Sequence, residues 1–506
     1  MDLTIRAPDL AAIGLYLAVM FGIGIFFSRR NKTTEEYFVG NRAFSGWVIG
    51  LSMLGTIVSS ATFLALPATA YVLDWRQLTV NLMLPFVAVL AIVVFIPFFR
   101  QGKLTSAFEY LGNRYGPLPR LYGTLSFIVL QMIRMSQILF LVSLPIQFLT
   151  GAPIEWVIVG AGLFIAFYTI AGGIEAVIWT DVVQALILIV GGLICFILIA
   201  FDLPGGLTQI LCVGAEQNKF SLGDLEWNFY ERTFWTVAIL GIVNWLMIFS
   251  GDQNMVQRYA AARSMREARK ATAIYSIIAL PMWTMFFFVG TSLFVYYTLL
   301  PDPVVAGLEA DQVLPYFILT KVPAGVAGII IAAVIAAAMS SLDSGINAIS
   351  TVSVIDLFKP YLARGRIDRH YLIMARLTAG LTSVLVILGA ITFSRIEKES
   401  MNDISLIVTS LFGGCLMGLF VLGFFSGKVD GKSATLAMFL AIALNVYIGL
   451  SAFNALPESW RVGVHDYWVA VIINGTFILL ALAIAFIRRT PPEKLDGLTV
   501  WTLHNK

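Results

Sequence analysis

A series of long apolar stretches, most of them free of charge, constrains this chain more than any other feature of its sequence. Each is about the length needed to cross a hydrocarbon core of roughly 30 Å, in which the backbone must satisfy its own polar groups, so each reads as a transmembrane helix. Thirteen spans are predicted: 10–27, 46–71, 76–99, 118–149, 153–170, 175–201, 233–250, 271–298, 324–356, 370–394, 402–425, 433–453 and 466–488. Of the 506 residues 59% are hydrophobic and 12% charged, with a mean hydropathy of +0.86, more than one soluble core needs. The first stretch is followed by Arg29-Arg30-Asn31-Lys32 rather than by a small-residue cleavage site, so it is expected to be retained.

An odd number of spans puts the termini on opposite sides, and the bias of Lys and Arg toward cytoplasmic segments then sets the orientation. With the N-terminus outside, 23 of the 33 Lys and Arg fall in inner segments, the run Arg258, Arg263, Arg266, Arg269 and Lys270 among them. Eight fall outside, and Arg134 and Arg376 lie within spans. The outer loops 202–232 and 299–323 carry short apolar stretches such as Val313 to Leu319 that can lie as interfacial helices. No linker or soluble domain is evident, so one membrane domain is expected over 1–506, functional as a monomer and surrounded by lipid. The cysteines Cys195, Cys212 and Cys415 are scattered, three His are present, and the net charge is +3. No metal cluster, phosphate loop, catalytic constellation or nucleic-acid surface follows from these, so an enzyme is not expected.

Polar residues inside the apolar spans are costly and mark a partner or a water-filled path. Arg134 lies well inside the fourth span, and Asp181 and Asp343 lie in the sixth and ninth. A buried ion pair or snorkelling to an interface is the structural alternative for each. In the ninth span Ala337, Ser340, Ser341 and Ser344 recur at i, i+3, i+4 and i+7, which gathers oxygen on one helical face beside Asp343. Such a face supplies ligands for a hard cation such as sodium; close helix packing through small residues is the alternative. The second span is interrupted by Gly55-Thr56-Ile57-Val58-Ser59-Ser60-Ala61-Thr62, and the seventh carries Gly241, Asn244 and Ser250-Gly251-Asp252-Gln253-Asn254. Interruptions five spans apart are the pattern of an inverted repeat with its binding site at the bilayer midplane.

These stretches, together with Thr33 to Gly40, Ala171 to Asp181, Asp252 to Arg258 and Ser340 to Ser344, resemble the sodium/solute symporter family over nearly the whole chain. The resemblance implies an all-α, LeuT-type fold of two inverted five-helix repeats, 46–201 and 233–425, preceded by one helix at 10–27 and followed by two at 433–488. It implies a bacterial inner-membrane symporter coupled to one or two sodium ions. One sodium site would use carbonyls of Gly55, Val58 and Ala337 and the hydroxyls of Ser340 and Ser341. A second would use Asp181, Ser340, Asp343 and Ser344, with Asp343 standing where a hydroxyl is usual. The solute is expected near Ser59, Ser60, Thr62, Gln77, Asn81, Arg134, Asn244 and Trp245. Arg134 matches the arginine that pairs with the substrate carboxylate in sialic acid transporters, and a guanidinium fork suits a carboxylate. Ile57 and Gln77 replace a hydroxyl and an aromatic residue of that pattern, which leaves another sugar acid, a monocarboxylate or a neutral sugar open, with proton coupling through Asp181 or Asp343 as the rival mechanism.

Overall fold

The computed structural model describes residues 6–28, 32–102, 104–228, 231–395, 413–452, 455–462, 466–489 and 495–503. Among them the regular elements are helices, joined by one isolated bridge between Phe44 and Ala262. Among the described residues, ten continuous helices are long and apolar enough to cross a membrane, and a bent pair makes an eleventh such segment. The protein is therefore a multi-pass membrane protein.

Helix α1 spans Ala7–Ser28. The second predicted span is two helices, α2 (Gly46–Ile57) and α3 (Ser60–Val72), meeting at 58°. Val58 and Ser59 between them are extended, and Ser59 and Thr62 then start α3 through a reciprocal capping box, in which side chains satisfy the free N–H groups of a new helix. Helix α4 (Leu78–Gln101) contains a wide turn at Ala91–Phe95, and α5 spans Pro117–Thr150.

Helix α6, Ile154–Asp202, runs for 49 residues, or roughly 70 Å at about 1.5 Å per residue, more than twice the hydrocarbon core. It is two spans that reverse at Gly173 (φ 55, ψ −158). Before the reversal Gly162 lies against Ile387 and Ile170 reaches Gly380; after it Thr180 meets Asp343 and Gly191 meets Ala333. A side chain at 173 would strike the Tyr37 ring at 2.7 Å, so both the backbone angle and the space require glycine. The predicted boundary between 170 and 175 thus falls at the observed turn.

Helix α7 (Phe234–Gly251) breaks at Asp252, whose carboxylate caps α8 (Gln253–Ala261) by accepting from the Asn254 N–H at 2.7 Å. This corrects the sequence reading, which ended the span at 250 and placed Arg258 in an inner loop. The chain instead continues as a second half-helix with all nine residues buried. Charge misled there, because an arginine in a helix end is indistinguishable by composition from one in a loop.

The remaining helices are α9 (Met265–Leu299), α10 (Val326–Val352, continuing as a wider helix to Leu362), α11 (Asp368–Phe393), the short α12 (Leu416–Phe425), α13 (Gly431–Ala452) and α14 (Asp466–Ile487). The first part of the predicted span 402–425, residues 402–412, lies outside the described residues. The loops that follow α6 and α9 carry helices Gly206–Glu216 and Ala310–Lys321, the second covering the expected 313–319.

Helix α10 is the centre of the molecule. It packs on α6, α1, α5, α11, α2 and α3, and every residue from Ala336 to Val352 is buried. Its N-terminus is held by Asp9 of α1, which accepts from the Gly325 and Gly328 N–H groups at 2.7 and 2.8 Å and so meets the positive end of the helix. The broken pair α2 and α3 leans on α9, where Gly290 lets the Pro67 carbonyl approach.

Candidate ion and solute site

The break after α2 frees carbonyl groups that a continuous helix would consume, and the hydroxyl face of α10 lies directly against them. Ser340 donates to the Gly55 carbonyl at 2.7 Å and to the Ala337 carbonyl at 3.1 Å. Ser341 donates to the Thr56 carbonyl at 3.2 Å and to Ala337 at 3.5 Å. Val58, at the break itself, is fully buried. Four of the five residues expected to hold sodium thus share direct hydrogen bonds, and the fifth is three residues beyond Gly55 on the same unwound end. Serine hydroxyls rotate, so oxygens that now donate to carbonyls can turn their lone pairs to a cation. The donor set is neutral oxygen with little bulk, which fits sodium. Gly55 is needed for this approach, since a Cβ there would come within 3.0 Å of the Asp181 carbonyl.

The residues expected to form a second sodium site are divided between two networks. Asp181, fully buried, accepts from Arg258 at 2.6 Å, from Ser52 at 2.6 Å and from Thr56 at 3.4 Å. Arg258 also donates to Ser344 at 2.7 Å, to Ser52 at 2.9 Å and to the Asn254 carbonyl at 3.0 Å. One guanidinium therefore ties the half-helices α2 and α8 to α6 and α10. Asp343, also fully buried, accepts instead from Tyr168 at 2.9 Å and Thr180 at 3.3 Å. The sequence reading singled out Asp181, Asp343 and Ser344 but not Ser52, Tyr168, Thr180 or the role of Arg258. The Asp252 to Arg258 motif was visible; its partner across about 77 positions was not.

The expected solute residues lie at the break before α3 and on or beside α3, α4, α5 and α7. Ser59 and Ser60 are buried at the break, and the Ser60 hydroxyl has no hydrogen-bond partner among the described residues. Thr62 is half-buried and used in the capping box. Gln77 and Asn81 are half-buried on or beside α4, which packs on α7 where Val80 meets Gly241. Asn244 is exposed. Trp245 is not free: its indole donates to the Val80 carbonyl at 3.0 Å and its ring packs on Phe249, Tyr275 and Trp283. It shapes the wall between α4 and α7 rather than presenting a donor. Arg134 is exposed in mid-helix, and the ion pairs among the described residues do not include it. The buried ion pair that would have been its structural explanation is not what these residues show.

The geometry agrees with comparison to known proteins. A family model described as the sodium:solute symporter family matches residues 37–441. The chain is 34% identical over 428 residues to the sodium/sialic acid symporter SiaT of Proteus mirabilis, covering 84% of this chain and 86% of that protein. It is 32% identical over 444 residues to the sodium/sialic acid symporter NanT of Aliivibrio fischeri, covering 86% of each. A solved Na+-coupled sialic acid symporter, substrate-bound and outward-open, superposes with a TM-score of 0.87 at 31% identity, over 97% of this chain and 99% of that one. A broken pair of half-helices, a hydroxyl face opposite the break and these matches together place the chain in the sodium:solute symporter family, as an all-α transporter of LeuT-type fold that works with sodium and is not an enzyme.

Proposed function

We propose that this symporter imports a carboxylate-bearing sugar such as sialic acid across a bacterial inner membrane, with N-terminus outside and C-terminus in the cytoplasm. The observation that carries the coupling is the contact of Ser340 and Ser341 with the carbonyls of the α2 break. Sodium held by Gly55, Val58, Ala337, Ser340 and Ser341 joins a half-helix to α10, so its binding favours one arrangement of the two bundles over the other. Solute binding between the breaks of α2–α3 and α7–α8 completes the cavity, and rocking of one bundle opens it to the inside. The coupling is a difference of affinity between two states.

Arg134 supports the choice of a carboxylate. An exposed guanidinium in mid-helix, outside the ion pairs described, is a ready partner for an anionic group, and its planar fork binds both carboxylate oxygens. Ser59, Ser60, Thr62, Gln77, Asn81 and Asn244 surround the remaining polar groups of the solute, and Trp245 lines the wall. Asp181, Ser340, Asp343 and Ser344 carry two carboxylates against the single Arg258, so one further cation belongs among them. The repeats are 46–201 and 233–425, flanked by 10–27 and 433–488, and one chain is the working unit.

Uptake of radiolabelled sialic acid into proteoliposomes tests the reading. A sodium gradient alone should drive accumulation, and the double substitution Ser340→Ala, Ser341→Ala should abolish it while the protein stays folded. Accumulation driven by a pH gradient alone would refute sodium coupling. Transport of neutral sugars or short monocarboxylates in preference to sialic acid, unaffected by Arg134→Ala, would refute the carboxylate role.

A further inference from the structure

Helix α9 begins with more positive charge than its own carboxylates neutralise. Arg266, Arg269 and Lys270 lie in its first two turns and Arg263 just before it, and all four are exposed. Glu267 is the only carboxylate between Asp252 and Asp302. It is already engaged, accepting from Arg263 at 3.1 Å and from the Gly46 N–H. Arg269 donates to the Ile92 carbonyl of α4 at 3.0 Å. Arg266 and Lys270 belong to none of the ion pairs among the described residues. The positive end of the helix adds to the same field.

Further along, the same face of α9 becomes the wall of a groove. Arg266, Lys270, Ile277, Pro281, Thr284 and Phe288 recur at i, i+4, i+11, i+15, i+18 and i+22, which is one helical face. The last four line a groove of about 890 Å³ between α9 and the second half of α6, with Leu193 on the opposite wall. Its floor is the contact of Gly192 with Met285, and its far end is closed by Leu211 of the helix Gly206–Glu216. Ile277 is 71% exposed, so the groove is open along its side. Thr284 is the one lining residue with a polar side chain, and its hydroxyl is spent on the Leu280 carbonyl at 2.9 Å. Apolar cavities do not hold water, and in a membrane-spanning segment the neighbouring phase is hydrocarbon. From Lys270, half of a hydrocarbon core, roughly 15 Å, is about ten residues of helix. That distance ends inside the groove, beside Leu280 and Pro281.

We propose that this face of α9 binds a phospholipid with an anionic head group, of the phosphatidylglycerol class. Its phosphate pairs with Arg266 and Lys270, and its acyl chain lies against Ile277 and Pro281 in the groove. A free phosphate would leave the groove empty, and an apolar helix of a second copy would leave the charges unanswered; one lipid answers both. The site joins two working parts of the molecule. Helix α9 backs the broken pair through Gly290 and Pro67, while α6 packs on α10 at Gly191 and Ala333.

Titration of the purified full-length protein in detergent, read by native mass spectrometry as the fraction carrying one lipid, tests the site. The probes are palmitoyl-oleoyl phosphatidylglycerol, the phosphatidylcholine with the same chains, and dihexanoyl phosphatidylglycerol, which has the anionic head group but chains too short to reach the groove. Wild type should prefer the long-chain anionic lipid to both others. Arg266→Gln, Lys270→Gln should weaken that lipid roughly 30-fold, about fivefold per cation, and change phosphatidylcholine little. Ile277→Trp, which fills the mouth of the groove, should weaken both long-chain lipids. All three positions are exposed, so the variants keep the fold. Equal binding of the two long-chain lipids, a preference that survives the double charge variant, or dihexanoyl phosphatidylglycerol bound as tightly as its long-chain form would each overturn the assignment. A dimer that Ile277→Trp breaks apart would give the groove to a second copy of the chain and overturn it too.

Discussion

Replacing Arg258 by methionine should destabilise the protein more than almost any other single change. The substitution keeps apolar bulk but removes all four hydrogen bonds of the guanidinium, and it leaves the Asp181 carboxylate fully buried with only the Ser52 and Thr56 hydroxyls at 2.6 and 3.4 Å. Breaking a buried pair from one side costs about 3–5 kcal/mol, because the surviving charge is uncompensated. At ~4 kcal/mol the ratio of folded to unfolded protein falls by a factor of roughly a thousand. Removing both charges is far milder, since hydrophobic or neutral replacements of a buried pair are often nearly neutral. The expected outcome is therefore that Arg258→Met is strongly destabilised and that Asp181→Asn in the same chain recovers most of the loss. Denaturation in increasing sodium dodecyl sulfate, followed by the helical circular-dichroism signal, gives all four corners of the double-mutant cycle. An Arg258→Met protein as stable as wild type, or a double variant no better than the single one, would show that the pair does not carry the stability assigned to it.

Four other expectations follow from the same geometry. Arg134→Lys keeps the charge and loses the fork, so the KM for a carboxylate solute should rise about tenfold, and Arg134→Ala should raise it by up to about a hundredfold, as initial uptake rates would show. Gly290→Val places a side chain where a Cβ would already lie 2.2 Å from the Pro67 carbonyl; it should separate α3 from α9 and cost about 1–3 kcal/mol in the same denaturation assay. Trp245→Phe removes the bond to the Val80 carbonyl but keeps the aromatic packing, so a loss near 1 kcal/mol is expected with transport largely retained. A tag at the C-terminus should be reached by protease only in inverted vesicles, and one at the N-terminus only from the outside; the reverse pattern would overturn the orientation.

Much of the fold was legible because a membrane imposes length and composition on every span. Apolar runs gave helix positions, and Gly55 to Thr62 gave the first break, since only small polar residues interrupt an otherwise apolar span there. The oxygen face of Ser340 and Ser341 was visible as a helical period. What the sequence could not show was pairing. Nothing local links Arg258 to Asp181, and a cationic residue at the end of a span looks like a loop residue by charge alone. The division of Asp181 and Asp343 between separate networks was hidden for the same reason: it depends on Arg258 and Ser52 on one side and on Tyr168 and Thr180 on the other, and in an apolar span the latter two read as ordinary helix polarity. For Trp245 the sequence shows an indole donor but not that its N–H is already given to the Val80 carbonyl.

Thr56 belongs to two neighbourhoods at once. Its main-chain oxygen is held by Ser341, while its side-chain oxygen lies 3.1 Å from that of Ser344 and 3.4 Å from Asp181. A pull on one end of so short a residue is felt at the other, so an ion that draws the Ser341 hydroxyl off this carbonyl would also reset the cluster that grips the half-helices α2 and α8. By reciprocity, loosening that grip must change how tightly the ion is kept. One threonine would thereby join the proposed ion nest to the Arg258 cluster.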